Sequence, residues 1–254
     1  MNKLTAIIPT FLEADFIEEA IRSVDFADEV IVIDSYSDDG TPDLAKNMGA
    51  KVIQRRFDDF SSQKNYALDQ ASHDWILFID ADERIGEDLQ DEIKTVLMDP
   101  GNTVAYFMYR NFFFTKKAIR YGGWQSDKVI RLFDRSCCRY DGSLVHEKPL
   151  FNGQPGFFKN KLDHYSYRSF DHYASKLNLY ASLQAQEMFS KGRKTNFISL
   201  FVKPGFRFFV HYFLRLGFLD GIPGFILAAQ NGHAVWSRAA KLWMLNYDKK
   251  KHGR

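Results

Sequence analysis

Over roughly its first hundred residues the chain alternates short apolar runs with amphipathic segments, a rhythm few folds accept. "LTAIIPT" (4–10), "EVIVID" (29–34), "KVIQRRF" (51–57) and "DWILFID" (74–80) have the length and composition of strands. Between them, "EADFIEEAIRSV" (13–24) puts Phe16, Ile17, Ala20, Ile21 and Val24 on one helical face. "TPDLAKNMGA" opens with Thr41 as N-cap and Pro42 at the first helical position and closes at Gly49. Further helices are predicted around 61–71 and over 87–98. Alternation at βαβ spacing predicts an α/β fold with a mainly parallel sheet covered on both faces.

From about residue 103 the rhythm changes. "VAYFMYRNFFF", "KAIRYG", "KVIRLFDR" and "CRYDG" read as shorter strands separated by Gly and Asp turns, which makes this half of the sheet mixed. After "KLDHYSY" the pattern turns helical, with a long helix over 169–192 ended by Gly192 and two aromatic, basic segments beyond it. The 254 residues accommodate one large domain or a catalytic domain with an appendage. The expected division is a catalytic α/β domain over 1–165 and a helical C-terminal region over 166–254.

Charge divides the chain in the same sense. Up to residue 190 there are 22 Lys and Arg against 30 Asp and Glu; beyond it, 12 against 2. The C-terminal part is therefore built to face something anionic. Its Phe, Tyr and Trp suit an anionic bilayer interface, or else pack onto the catalytic domain; a nucleic-acid groove would space its rings among cations, and here they cluster. Its longest stretch without Lys, Arg, Asp or Glu, "GIPGFILAAQNGHAVWS", is a poor membrane span. The two cysteines, Cys137 and Cys138, are adjacent and suit neither an ordinary disulfide nor a paired zinc site, and no leader peptide is legible. A cytoplasmic protein lying peripherally on the inner face of a membrane is expected.

Chemistry concentrates where "WILFIDADERI" (75–85) runs an apolar strand into Asp80, Asp82 and Glu83. In a parallel α/β sheet, ligands bind at the carboxyl ends of the strands, where Asp34 and Asp80 fall. In extended chain Asp80 and Asp82 point to the same side, and clustered carboxylates repel unless a cation compensates them. The alternative is that Asp82 and Glu83 are simply the first acids of the next helix.

Four motifs, "AIIPTFLEA", "EVIVIDSYSDDGT", "QKNYAL" and "WILFIDADE", occur in the order and near the spacing of family 2 glycosyltransferases, and the chain resembles that family over residues 4–150. The resemblance implies the GT-A fold, a Rossmann-like nucleotide-sugar-binding domain with a mixed sheet. It implies that Pro9, Thr10 and Glu13 line the nucleotide pocket, that Asp34 lies near the base with Asp39 in the adjacent turn, and that Lys64 lies near the diphosphate. Asp80 and Asp82 would hold ribose and a divalent cation, Mg²⁺ or Mn²⁺, with Asp82 as metal ligand. Leu12 stands where the family usually has Asn, and Ser35 where it often has Asp. Singly, Pro9 can be a strand end, Lys64 a solvated helix residue and "SDDGT" a turn with its cap.

"GGWQSDKVIRLFDRSCCRYDGSLVHEKP" (122–149) resembles the acceptor half of bacterial glycosyltransferases that add glucose to the heptose of the lipopolysaccharide core. The resemblance implies UDP-glucose as donor, a lipid-linked saccharide as acceptor and a β-1,4 transfer with inversion. Such a transfer needs a carboxylate to take the acceptor's proton. Glu147 is the first candidate and Asp127 the second, with His146 a further metal ligand. Trp124 can stack on a sugar or pack the sheet edge, and Arg131 can meet phosphate or form a structural ion pair. Two other readings compete. A phosphohydrolase of the haloacid dehalogenase type also carries DxD, though normally at the start of the domain and followed by Thr or Val. A non-catalytic membrane module with a degenerate pocket would fit Leu12 and Ser35.

Overall fold

The computed structural model describes residues 2–115, 117–142, 149–167 and 169–252. His146 and Glu147 therefore lie outside the described residues. The chain divides into two compact units, one of Met1–Asn111 with Ser126–His164, the other of Phe112–Gln125 with Tyr165–Arg254.

In the first unit the expected strand and helix order is realised as β1 (Leu4–Thr10), α1 (Ile17–Ser23), β2 (Glu29–Asp34), α2 (Thr41–Asn47), β3 (Lys51–Gln54), α3 (Phe60–Gln70) and β4 (Trp75–Phe78). There follow β5 (Glu83–Arg84), α4 (Glu87–Met98) and β6 (Thr103–Phe114), which runs on into the second unit. Beyond β7 (Lys117–Ile119) come β8 (Lys128–Asp134), β9 (Cys138–Tyr140), β10 (Pro149–Phe151), β11 (Gln154–Phe157) and β12 (Leu162–Tyr167).

The sheet order is β3-β2-β1-β4-β8-β6-β12-β5. The first four strands are parallel, β8 runs antiparallel to both β4 and β6, and β9 and β10 form a separate two-stranded sheet. Alternate residues of the parallel strands feed two cores: Leu4, Ala6, Ile8, Val32 and Leu77 pack with α1 and α4 on one face. Ile7, Ile31, Ile33, Ile76 and Phe78 pack with Ala67 and Leu68 of α3 on the other. Ile76, Leu77 and Phe78 are fully buried, each contributing about 1.5–3 kcal/mol of apolar burial, so β4 is fixed in register from both sides.

Several local expectations are corrected by tertiary bonding. Helix α1 begins at Ile17 because Glu13–Phe16 form a turn in which Glu13 O accepts the amides of Phe16 and Ile17. Thr41 is the first residue of α2, not its cap. Gly40 precedes it at φ 89°, and the Asp39 carboxylate accepts both the amide and the hydroxyl of Thr41 at 3.1 and 2.5 Å. Strand β10 and strand β11 were not legible in the sequence.

The second unit holds the end of β6, β7 and the helices α5 (Phe170–Ser190), α6 (Lys203–Phe209) and α7 (Ile222–His252), with π-helical turns at Ile198–Val202 and Val210–Leu214 flanking α6. Gly192, at φ 69°, terminates α5 as the sequence predicts. Phe112, Phe114, Ile119, Tyr173 and Leu227 form its core. The buried carboxylate of Asp220 accepts the amides of Arg120 and Tyr121 at 3.1 and 2.9 Å, which ties the β7 segment to the start of α7. Gly224 is required there: a Cβ would lie 1.9 Å from the carbonyl oxygen of Gly217. Among the described residues no helix is long and apolar enough to cross a membrane.

Candidate active site

From β1 the chain winds outward through β2 to β3, and then returns to place β4 on the other side of β1. Ligand crevices of open α/β sheets form at such a reversal, at the carboxyl ends of the strands. The mouth here is made by the loops after β1, β2 and β4.

The first two loops are stitched together. The amides of Leu12, Glu13 and Ala14 donate to Ser37 Oγ, Thr41 Oγ1 and Asp39 Oδ2 at 2.9, 2.9 and 3.0 Å. "SDDGT" is thus more than a turn; it holds the segment that carries Glu13. Leu12 and Tyr36 adopt φ of 58° and 62°, a conformation costly for residues other than glycine and one that clusters at functional sites. Tyr36 is left 57% exposed beside the crevice, and sequence reasoning had not singled it out. Ser35, one of the two departures, exchanges hydrogen bonds with Gln63 of α3.

Asp34 ends β2 at the mouth. Its carboxylate is wholly buried; Oδ1 accepts the hydroxyls of Thr10 and Ser37 at 3.1 and 2.6 Å, and Oδ2 accepts the Ser37 amide at 2.9 Å. It fixes the ends of β1 and β2, so any place near a base is taken from within the loop it braces. Thr10 is buried with it, and the adjoining Pro9 is half-buried within β1.

The third loop overturns the extended-chain argument for the acids. Asp80 O accepts the Glu83 amide and Glu83 Oε2 accepts the Asp80 amide, at 2.9 and 3.0 Å, so residues 80–83 form a turn. Glu83 is not a helix-opening acid either: it lies in β5, paired antiparallel with β12 through Glu83–His164 and Arg84–Asp163. The two aspartates take different partners. Asp80 is bound by Nη2 of the buried Arg131, which also donates to the wholly buried Glu83 at 2.8 Å. Arg131 thus takes the second of its two expected roles, a structural ion pair, and is not free to meet an acceptor phosphate.

Burial alone would raise the Asp80 pKa, but the Arg131 guanidinium, with help from Lys64, His164 and Arg110, holds the carboxyl well below the usual range. The same pairing outweighs burial at Arg131 and raises its own pKa. Asp80 lies deep among protein atoms yet keeps 38% of its side chain open. Lys64 sits over the rings of Phe78 and Tyr140, 5.4 and 5.0 Å from their centroids, and so is a packed cation in the field of Asp80 rather than a solvated helix residue.

Asp82 lies instead beside His164, with Oδ2 3.4 Å from Nε2. His164 is the residue the sequence reading missed, and "KLDHYSY" offered no local signal for it. Asp127 is held by Arg110, whose Nε donates to Oδ2 at 3.0 Å and whose Nη1 reaches Glu83 at 3.3 Å. Nε and Nη2 of Arg110 both donate to Oδ2 of this carboxylate, and the Asp127 side chain remains 46% exposed. Trp124 belongs to the second unit, where it stacks on Phe112 with centroids 4.6 Å apart at 10°; of its two expected roles the structure supports packing.

Residues 5–136 match the sequence profile of the family described as glycosyl transferase family 2, across the crevice just described. The chain belongs to glycosyl transferase family 2. Among its relatives, an uncharacterized glycosyltransferase of Rickettsia bellii is 33% identical over 95% of this chain and 86% of its own. The lipopolysaccharide core biosynthesis glycosyltransferase LpsC of Rhizobium meliloti is 27% identical over 94% of this chain and 92% of its own. A solved structure of glucosyl-3-phosphoglycerate synthase from Mycobacterium tuberculosis, holding Mn²⁺, UDP and glucosyl-3-phosphoglycerate, aligns over 44% of each chain at 22% identity with a TM-score of 0.38. Membership sets the phosphohydrolase reading aside. The mixed sheet with its antiparallel β8 is the GT-A architecture, followed by a helical C-terminal extension.

Proposed function

We propose that this glycosyltransferase moves glucose from UDP-glucose to a heptose of the lipopolysaccharide inner core, with inversion, at the inner face of a membrane. The observation that carries the proposal is the pairing of Asp82 with His164 beside the ion-paired Asp80, at the switch point of a family 2 sheet. The likeness to LpsC along nearly the whole chain supports the choice of acceptor.

The donor set bears on whether a divalent cation belongs here. Among the described residues no three His, Cys, Asp or Glu form a metal cluster. Asp82 and His164 offer two donors, which fits a Mg²⁺- or Mn²⁺-type site completed by substrate phosphates and water. A cation held by this pair would neutralise charge on the departing diphosphate. The chain's own residues do the rest. The acceptor hydroxyl gives its proton to Asp127 or Glu147 as its oxygen bonds to the anomeric carbon, the bond from that carbon to the diphosphate oxygen breaks, and UDP leaves with the electron pair. Arg131 and Lys64 keep Asp80 ionised for a ribose hydroxyl. Glu13 and the stitched loops line the nucleotide side. Residues 1–165 carry this chemistry, and 166–254 hold the enzyme at the lipid surface.

The test is UDP release from a panel of nucleotide sugars with a heptose-containing lipid acceptor, with Mg²⁺ or Mn²⁺ and with chelator. UDP-glucose with a cation is expected to give the fastest release; absence of release from every UDP-sugar would refute the reading.

A further inference from the structure

The second unit carries a cleft of about 280 Å³ between the end of α5, the segment before α6, and α7. Arg193, Lys194, Lys203 and Arg238 line it, and no acid does. Among the described residues none of these four cations forms an ion pair; Arg238 Nη1 donates to the neutral Gln184 at 2.7 Å. Like charges crowd nearby: burial, and then Arg215 and Arg238, lower the pKa of Arg207. Unpaired cations gathered in one concavity cost Coulomb energy that an anion would relieve.

The ground beside the cleft is apolar. Phe197, Phe201, Val202, Phe206 and Phe209 are exposed, the first three of the phenylalanines at 69%, 65% and 63%. They lie on the outer side of the helical run whose inner side, Pro204 and Phe208, meets α7 at Gly232, where a Cβ would lie 2.9 Å from the Pro204 carbonyl oxygen. Phe197 and Phe201 sit one turn apart with centroids at 4.7 Å, and Phe209 and Phe213 at 5.2 Å. So many exposed rings in one place mark an interaction surface. Of the two acids beyond residue 190, Asp220 is 3% exposed and bonded internally, and Asp248 stands in the last turns of α7.

We propose that the cleft of Arg193, Lys194, Lys203 and Arg238 is a phosphate site for anionic phospholipid headgroups, and that the adjoining rings of Phe197, Phe201, Phe206 and Phe209 enter the acyl boundary of the same leaflet. Charge complementarity selects this occupant: aromatic side chains next to a cleft lined by four cations and no acid match an anionic bilayer interface. The site deepens the reading that the acceptor is lipid-linked and rests on that reading; it would seat the enzyme on the leaflet that carries the acceptor, independently of the crevice.

The full chain is sedimented with vesicles of phosphatidylcholine alone and of phosphatidylcholine mixed with phosphatidylglycerol. Binding to the anionic vesicles is expected, weakened by salt. Lys203→Gln with Arg238→Gln should weaken it roughly 25-fold, about fivefold per cation. Phe201→Ser with Phe206→Ser should abolish it while leaving the thermal unfolding curve unchanged, since both rings are exposed. Equal binding to neutral and anionic vesicles, or none, overturns the proposal. So does unchanged vesicle binding by the Lys203→Gln, Arg238→Gln variant when that variant has lost affinity for inorganic phosphate, which would assign the cleft to a free anion. So does concentration-dependent self-association that the Phe substitutions remove. A deacylated, soluble acceptor separates the two readings: with it the variants should release UDP from UDP-glucose like the unaltered chain, whereas failure of the unaltered chain there tells against the transfer and not against the lipid site.

Discussion

Replacing Arg131 with Met keeps the length and apolar stem of the side chain and deletes the charge that holds Asp80 and Glu83. Breaking a buried ion pair from one side costs about 3–5 kcal/mol, because the remaining charge is left uncompensated. Two features put this case near the low end. Arg110 stays 3.3 Å from Glu83, and Asp80 keeps 38% of its side chain exposed. A loss of about 3 kcal/mol corresponds to a fall in Tm of roughly 6–12 °C for a chain of this size. Thermal or urea unfolding of Arg131→Met, Asp80→Asn and the double variant gives the coupling, expected at roughly 1–3 kcal/mol. The sign with pH follows from the depressed Asp80 pKa. The stabilisation is complete above the unfolded value of about 4 and is lost as pH falls through the lower folded value. The gap between the unaltered chain and Arg131→Met should therefore narrow in strong acid. Equal midpoints at neutral pH, or a gap that persists unchanged in strong acid, would refute the reasoning.

Asp82→Ala should lower turnover about 10²–10³-fold and weaken the response to added cation; His164→Ala should weaken Mn²⁺ binding about 10–100-fold, read by equilibrium titration. Asp127→Asn and Glu147→Gln are compared on an intact acceptor, and the one that acts as base should fall about 10²–10⁴-fold; near-normal turnover in both would remove the base assignment. Burial pushes the Cys138 thiol up to about 12, so at neutral pH a thiol reagent should label the exposed Cys137 and leave Cys138 unmodified until the chain unfolds, as mass spectrometry would read.

Much of the first unit was legible because its signals are local. A short apolar run with both faces buried, as in β4, has one stable use, and the 3.6-residue spacing of Leu89, Ile93 and Leu97 on α4 declares the face that packs. The long α5 and its stop at Gly192 were legible for the same reason. The crevice was legible in outline, since strand ends in such a sheet carry ligands wherever the side chains happen to point. What each acid does there was not. The resemblance puts Asp34 near the base, and only its burial under Thr10 and Ser37 shows it as a strut between two strands.

By itself the sequence determined the alternation of β1–β4 with their helices, the family motifs, and the concentration of cations and rings beyond residue 190, because each depends on residues near one another in the chain. Tertiary structure alone decided that Asp80 is taken by an arginine 51 residues away and that Asp82 meets His164 on a strand arriving much later. It alone gathered Arg193, Lys194, Lys203 and Arg238 into one cleft. The physical reason is common to all three: which charges meet, or are left together, depends on what the packed chain brings within a few ångströms, and apolar periodicity specifies the packing without naming those neighbours.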